Sequence, residues 1–281
     1  MKITFIGGDE RMLFAAGLFS SDGIETRVCG FDINTEIYGN VKKFGSVSEA
    51  LSGADTAVLP IPYSKDGKTV FAPFSEKNIG IEEVAKALGE KTLLIGGMTD
   101  GSELTGAVDI CARDDFAILN AVPTAEGAVS TLLKETKRTA SGMNVAVLGF
   151  GRVGAVLAKT LVSLGAKVTV FARKASARAW AKVFFCEAEN FSALHEKIGG
   201  FDCIFNTVPH KIMFAEHLAR IKKGAVIIEL ASAPGGADAK EVALAGARLV
   251  PAQGLPGKTA PRSAGKIIYE TVKEITEEEY R

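Results

Sequence analysis

Residues Asn144-Val-Ala-Val-Leu-Gly-Phe-Gly-Arg-Val-Gly154 decide the reading of this chain: an apolar run stops at three glycines and continues as Ala155 to Leu164. Val145 to Leu148 is apolar at every position, as expected of a parallel strand buried on both faces. Gly149 permits the tight turn, Gly151 lets the backbone approach a pyrophosphate with no Cβ in the way, and Gly154 lets the next helix pack close on the strand. That helix starts at Arg152 and Val153, where unpaired N–H groups and a partial positive charge favour a pyrophosphate. Lys167 to Ala172 is a second apolar strand, reached after Gly165 closes the helix, so a complete βαβ dinucleotide unit is predicted.

The end of the second strand selects the nucleotide. An NAD site usually places Asp or Glu about 20 residues beyond the turn to accept from the adenosine ribose hydroxyls. Here stand Ala172-Arg173-Lys174, followed by Ser176 and Arg178. A guanidinium grips a 2′-phosphate with paired hydrogen bonds and a nearby ammonium adds charge, so the expected cofactor is NADP. The alternative is a solvated basic loop edge. Further strands, Asp202 to Pro209 and Ala225 to Ser232, turn polar at their C-terminal ends, which line the ligand crevice of an open α/β sheet. Thr207, Val208, Pro209, Ala231 and Ser232 are therefore expected to border the nicotinamide and its ribose.

With 281 residues, 47% of them hydrophobic, the chain is long enough for two cores. The 33 basic and 33 acidic residues cancel, so nothing in the bulk charge points to nucleic acid or an anionic membrane. Cys29, Cys111, Cys186 and Cys203 are widely spaced, with no metal pattern, and read as buried thiols in a reducing cytoplasm. No segment approaches the ~18 uninterrupted apolar residues of a membrane helix. Ile3 to Ile6, Gly7-Gly8-Asp9 and the run from Arg11 to Phe19 form another strand-turn-helix, with Asp9 read as the helix N-cap or Arg11 as facing an anion. Strands at Thr26–Cys29, Thr56–Leu59, Thr92–Ile95 and Val108–Cys111 continue it, with helices near Val47–Leu51 and Ile81–Leu88. Residues 60 to 80 form a long loop, functional or connecting.

The expected architecture is α/β, with two doubly wound parallel-sheet domains. Residues 1–120 form a flavodoxin-like substrate domain, 121–140 a connecting helix opened by Pro123, 141–260 the Rossmann NADP-binding domain, and 261–281 a helix returning to the first domain. Thr124 and Glu126 cap the connecting helix or, with Asn120, touch substrate in an inter-domain cleft. A hydroxy-acid dehydrogenase needs a general base, usually His. His195, His210 and His217 read as structural, which disfavours alcohol oxidation and favours a substrate whose product gains conjugation.

The segments Gly7-Gly8-Asp9-x-Arg11, Arg113-Asp114-Asp115, Asn120-x-x-Pro123-Thr124-x-Glu126-Gly127, Gly149-x-Gly151-Arg152-x-Gly154, Asn206-Thr207-x-Pro209, Leu230-Ala231-Ser232-x-Pro234-Gly235-Gly236 and Gly254-Leu255-Pro256-Gly257-x-x-Ala260-Pro261 together resemble the family of dipicolinate synthase A-type subunits. The resemblance spans nearly the whole chain. It implies NADP-dependent oxidation of dihydrodipicolinate to dipicolinate in the mother-cell cytoplasm of a spore former, beside the flavoprotein-like B-type subunit of dipicolinate synthase. For the residues that hold a dicarboxylate ring, Arg11 and Arg262 are the expected cations, and Asn120, Thr124 and Ser232 the neutral donors. Glu126 is expected either to accept the proton or to orient Arg11. A homo-oligomer is expected, with no nucleic acid, membrane or metal. The competing readings are a dehydrogenase of another hydroxy- or amino-acid, and a non-catalytic nucleotide-binding subunit.

Overall fold

In the computed structural model, which describes residues 1–33, 36–99 and 104–280, the chain divides into two compact units. The first holds residues 1–120 and 260–281, the second residues 121–259. In the first unit β1 (Lys2–Ile6), β2 (Glu25–Cys29), β3 (Lys42–Phe44), β4 (Thr56–Val58), β5 (Leu93–Gly96) and β6 (Val108–Asp109) form one parallel sheet in the order β3-β2-β1-β4-β5-β6. Helices α1 (Glu10–Ser21), α2 (Val47–Leu51) and α3 (Ile81–Ala87) cross between strands. Alternate β1 residues enter different cores, Ile3 and Phe5 on one face and Ile6 on the other, so both faces of the sheet are covered.

The second unit begins within α4 (Asp114–Thr136) and builds β7 (Asn144–Leu148), α5 (Arg152–Ser163), β8 (Lys167–Phe171), α6 (Ala175–Val183), β9 (Glu187–Glu189), α7 (Leu194–Lys197), β10 (Cys203–Asn206), α8 (Ala215–Leu218), β11 (Val226–Glu229), α9 (Ala239–Leu244), β12 (Arg248–Pro251) and α10 (Leu255–Thr259). Its parallel sheet runs β12-β11-β10-β7-β8-β9, the Rossmann order, with the switch point at β7. Val145 and Val147 pack on one face, Ala146 and Leu148 on the other.

The last helix, α11 (Pro261–Glu279), belongs to the first unit. Ile268, Val272 and Ile275 enter its core with Phe19, and the Tyr269 ring meets Phe19 edge-on at 4.8 Å. Asp22 accepts from Tyr269 Oη at 2.5 Å and Lys273 Nζ at 2.7 Å, while Arg113 pairs with Asp115, Glu274 and Glu278. α1 and α11 approach closely at Gly265, where a Cβ would lie 2.6 Å from the Arg11 carbonyl oxygen. Gly265→Val is therefore expected to destabilise the first unit by about 1–3 kcal/mol through overpacking, read as a lower urea midpoint.

Several elements differ from the sequence expectation. Pro123 does not open a helix: it lies inside the 23-residue α4, where it is buried next to Ala121 and Ala125. Thr124 and Glu126 thus lie in the interior of the helix and not in its first turn. Tertiary burial overrides proline's local preference here, since Phe116 enters the first unit's core and Ala125, Ala128 and Leu132 the second's. Although α4 has the length and composition of a membrane span, those core contacts account for its apolar face. The flavodoxin-like expectation implies five strands; β3 adds a sixth at the β2 edge. β6 stops at Asp109, whose side chain accepts from Cys111 N and begins a 3-10 turn.

Candidate functional site

The β7–α5 turn gives each glycine its own reason. Gly149 has φ +96°, and a Cβ there would lie 2.4 Å from Thr207 Oγ1. At Gly154 a Cβ would lie 2.4 Å from the Gly149 carbonyl oxygen, so the helix touches its own turn. Gly151, the N-cap of α5, has no described atom within 4 Å of where a Cβ would stand. A close-packed turn therefore presents open space in front of a helix N-terminus, as a pyrophosphate requires.

That turn forms one wall of a groove of about 950 Å³. Gly149, Phe150 and Gly151 supply that wall, Ala172, Arg173 and Lys174 come from the end of β8 and the start of α6, and Val208, His210 and Lys211 come from the loop after β10. Phe191, Ile212 and Phe214 add apolar surface. Among the described residues, none that lines the groove is Asp or Glu. Arg173, Lys174 and Ser176 are exposed at the start of α6, so its first-turn N–H groups add to their positive potential. Arg178 acts on the backbone instead. Its Nη1 donates to the carbonyls of Ala172 at 2.8 Å and Arg173 at 2.6 Å, fixing the main chain that carries the two cations.

Of the residues expected at the cofactor, Gly149, Gly151, Ala172, Arg173, Lys174 and Val208 line this groove. Arg152, Val153, Gly154, Ser176, Thr207, Pro209, Ala231 and Ser232 are not in its wall. Thr207 turns inward instead, its Oγ1 donating to the Leu148 carbonyl at 2.8 Å. His210, expected to be structural, and Lys211, for which the sequence suggested no role, both line the groove. Their position directly after a polar strand end is the signal in the sequence that could have found them.

His217, also in the wall, accepts from Phe214 N through Nδ1 at 3.3 Å, so its neutral form carries the proton on Nε2. Burial lowers its pKa below 6.5, outweighing the opposing pull of the nearby Glu216 carboxylate. Folding thus favours neutral His217: its contribution is complete above pH 6.5 and is lost as acidification proceeds through the folded pKa. Between pH 7 and 5 the Tm should fall more steeply for the unmodified protein than for His217→Gln, measured by scanning calorimetry.

In the first unit Arg11 is 8% exposed and forms a fork with Asp9, Nε to Oδ1 at 2.8 Å and Nη2 to Oδ2 at 2.9 Å, while Nη2 also donates to the Ile61 carbonyl at 2.6 Å. Asp9 also caps α1 by accepting from Arg11 N. Asp9 thus supplies a counter-charge to Arg11 within the first unit, and Glu126 is an exposed residue of α4. Arg262, exposed on the first turn of α11, stacks over Tyr38 at 5.7 Å and lies one turn before Gly265, which touches the Arg11 backbone. Asn120 and Thr124 are half-buried in α4 and Ser232 is exposed beyond β11. Arg11, Asn120 and Arg262 thus belong to the first unit, Thr124, Glu126 and Ser232 to the second.

The 60–80 loop covers the β1–α1 turn. Gly8 N donates to the Phe71 carbonyl at 2.8 Å, and a Cβ on Gly7 would lie 3.0 Å from Ala72 and Val70. The space left open before Gly151 is thus filled, in the first unit, by the chain itself.

Residues 2–109 match the family described as the N-terminal domain of the dipicolinate synthase A-type subunit. The crystal structure of that subunit from Bacillus halodurans is 30% identical, superposes with a TM-score of 0.88, and the match covers 98% of this chain and 97% of that one. This chain belongs to the family of dipicolinate synthase A-type subunits. The Bacillus subtilis (strain 168) family member is 29% identical over 99% of this chain and 96% of its own length. Residues 121–244 match the NAD binding domain of D-isomer specific 2-hydroxyacid dehydrogenases, so the second unit is a nicotinamide-dinucleotide domain of dehydrogenase type. The fold is shared with a transhydrogenase from Sinorhizobium meliloti, 17% identical with a TM-score of 0.68 over 98% of this chain and 93% of that one.

Proposed function

We propose that this chain oxidises dihydrodipicolinate to dipicolinate with NADP⁺ as acceptor, in the mother-cell cytoplasm during sporulation and in company with the B-type subunit of dipicolinate synthase. The observation that carries the reading is a groove whose described walls hold no carboxylate, flanked by Arg173 and Lys174, in a chain of this family. Bound NADP⁺ supplies the hydride acceptor. The residues fit it: the open face at Gly151 and the α5 N-terminus suit the pyrophosphate, and Arg173, Lys174 and Ser176 the 2′-phosphate. Loss of one hydride and one proton makes the substrate ring aromatic, which reduces the demand on a strong base and agrees with a chain holding only three histidines, none read as a base.

The ring's two carboxylates need cations and donors. Arg11, held rigid by Asp9, is the proposed cation, with Arg262 next and Asn120, Thr124 and Ser232 as neutral donors; Glu126 is the proposed proton acceptor. Arg11→Ala should raise the KM for the dicarboxylate at least about tenfold with NADP affinity unchanged, and Glu126→Gln should lower kcat. If both turn over normally, Lys65 and Lys258 are the next candidates. The reaction itself is tested by NADPH formation at 340 nm from enzymatically generated dihydrodipicolinate, with and without the B-type subunit. No absorbance change in either arm would remove the proposal.

A further inference from the structure

Glu229 closes β11 with only 5% of its surface exposed, and its carboxylate joins donors from the end of β10 and from the loop after β11. Oε1 accepts from Asn206 Nδ2 at 2.7 Å and Ala231 N at 3.1 Å, and Oε2 accepts from Gly236 N at 2.7 Å. Asn206, fully buried at the end of β10, accepts from Val208 N at 3.1 Å through Oδ1 and donates from Nδ2 to the Val208 carbonyl at 2.9 Å. Gln253 Nε2 then donates to the carbonyls of Glu229 at 3.2 Å and Ala231 at 3.0 Å. The loop is fitted to this pair, for a Cβ on Gly236 would lie 2.5 Å from Asn206 Nδ2.

A buried carboxylate is costlier than an apolar side chain of similar volume, so what it adds here is fixed placement of the backbone around it. β10 and β11 lie on the side of β7 opposite β8. A dinucleotide that crosses the switch point with its adenosine ribose at β8 extends its nicotinamide half over the ends of β10 and β11. We infer that Glu229, together with Asn206, is a positioning residue that holds residues 207–208 and 231–236 as the platform for the nicotinamide half. It acts through the main chain of those loops and does not touch the ring. The inference rests on the nucleotide reading above.

Calorimetric titration with two ligands tests it, because NADPH spans both halves of the site while 2′,5′-ADP reports the adenosine half alone. Glu229→Gln keeps the shape but turns an amide N–H group toward a donor, leaving one buried donor without an acceptor. NADPH binding should weaken about tenfold, with 2′,5′-ADP binding within about twofold of the unmodified protein. Gln253→Met, which leaves the buried pair intact, should weaken NADPH about threefold with the same selectivity. Unchanged NADPH affinity in both variants overturns the inference, and so does an equal loss for both ligands, which marks a merely structural role. If the unmodified protein binds neither ligand, the nucleotide reading falls and this inference with it.

Discussion

Gly154→Val is expected to abolish dinucleotide binding and to lower the stability of the second unit by about 3 kcal/mol, whereas Gly151→Val is expected to abolish binding alone. The two glycines are three residues apart in one turn, yet they are constrained by different things. At Gly154 the obstacle is the Gly149 carbonyl, 2.4 Å from a Cβ, and a backbone atom cannot swing aside as a side chain can. The helix must retreat from β7, and Leu157, Ala158 and Leu161 leave the core with it. Gly151 meets no described protein atom, and its φ of −84° and ψ of −164° suit valine. A side chain there fills only the space a pyrophosphate needs. Thermal unfolding and calorimetric titration with NADPH separate the two effects. A Gly151→Val protein that binds normally would show that the phosphates lie elsewhere.

Arg173→Asp is expected to weaken NADP binding by roughly 10²- to 10³-fold and to strengthen NAD in the same protein. The substitution removes charge-assisted hydrogen bonds to a phosphate, worth about 1.5–3 kcal/mol, and replaces them with repulsion of like charges. It also restores the carboxylate that accepts from the adenosine ribose hydroxyls in an NAD site. Arg178, bonded to the carbonyls of residues 172 and 173, keeps the loop in place. The ratio of the two dissociation constants is the measurement. If NAD binds the unmodified protein as tightly as NADP, the assignment of Arg173 and Lys174 is wrong.

What is legible in the sequence is whatever depends on neighbours along the chain. The β7–α5 turn is local, so Gly149, Gly151 and Gly154 show their separate uses before any contact is known. β3 and β9 are hidden because Lys-Lys-Phe and Glu-Ala-Glu are short and charged, as edge strands often are. Pro123 misleads because its local preference for a first turn yields here to burial in two cores. Arg11 stands out in the sequence, but its partner does not: Asp9 serves at once as N-cap and as counter-charge, and the second use needs the side-chain geometry. The link from Glu229 to Asn206 spans 23 residues and two parallel strands, which no spacing rule reports.

The first unit is discontinuous in sequence, and this sets an order for its assembly. During synthesis from the N-terminus, residues 1–120 emerge first but wait through all of 121–259 before residues 260–280 arrive to cover α1. Until then Phe19, and the rest of the surface that Ile268, Val272 and Ile275 later bury, stays exposed on the nascent chain. The segment made first is therefore completed last, and a released chain cut just short of Pro261 would carry every strand of the nucleotide domain together with a half-built first unit whose apolar face is bare, open to chaperones and to aggregation.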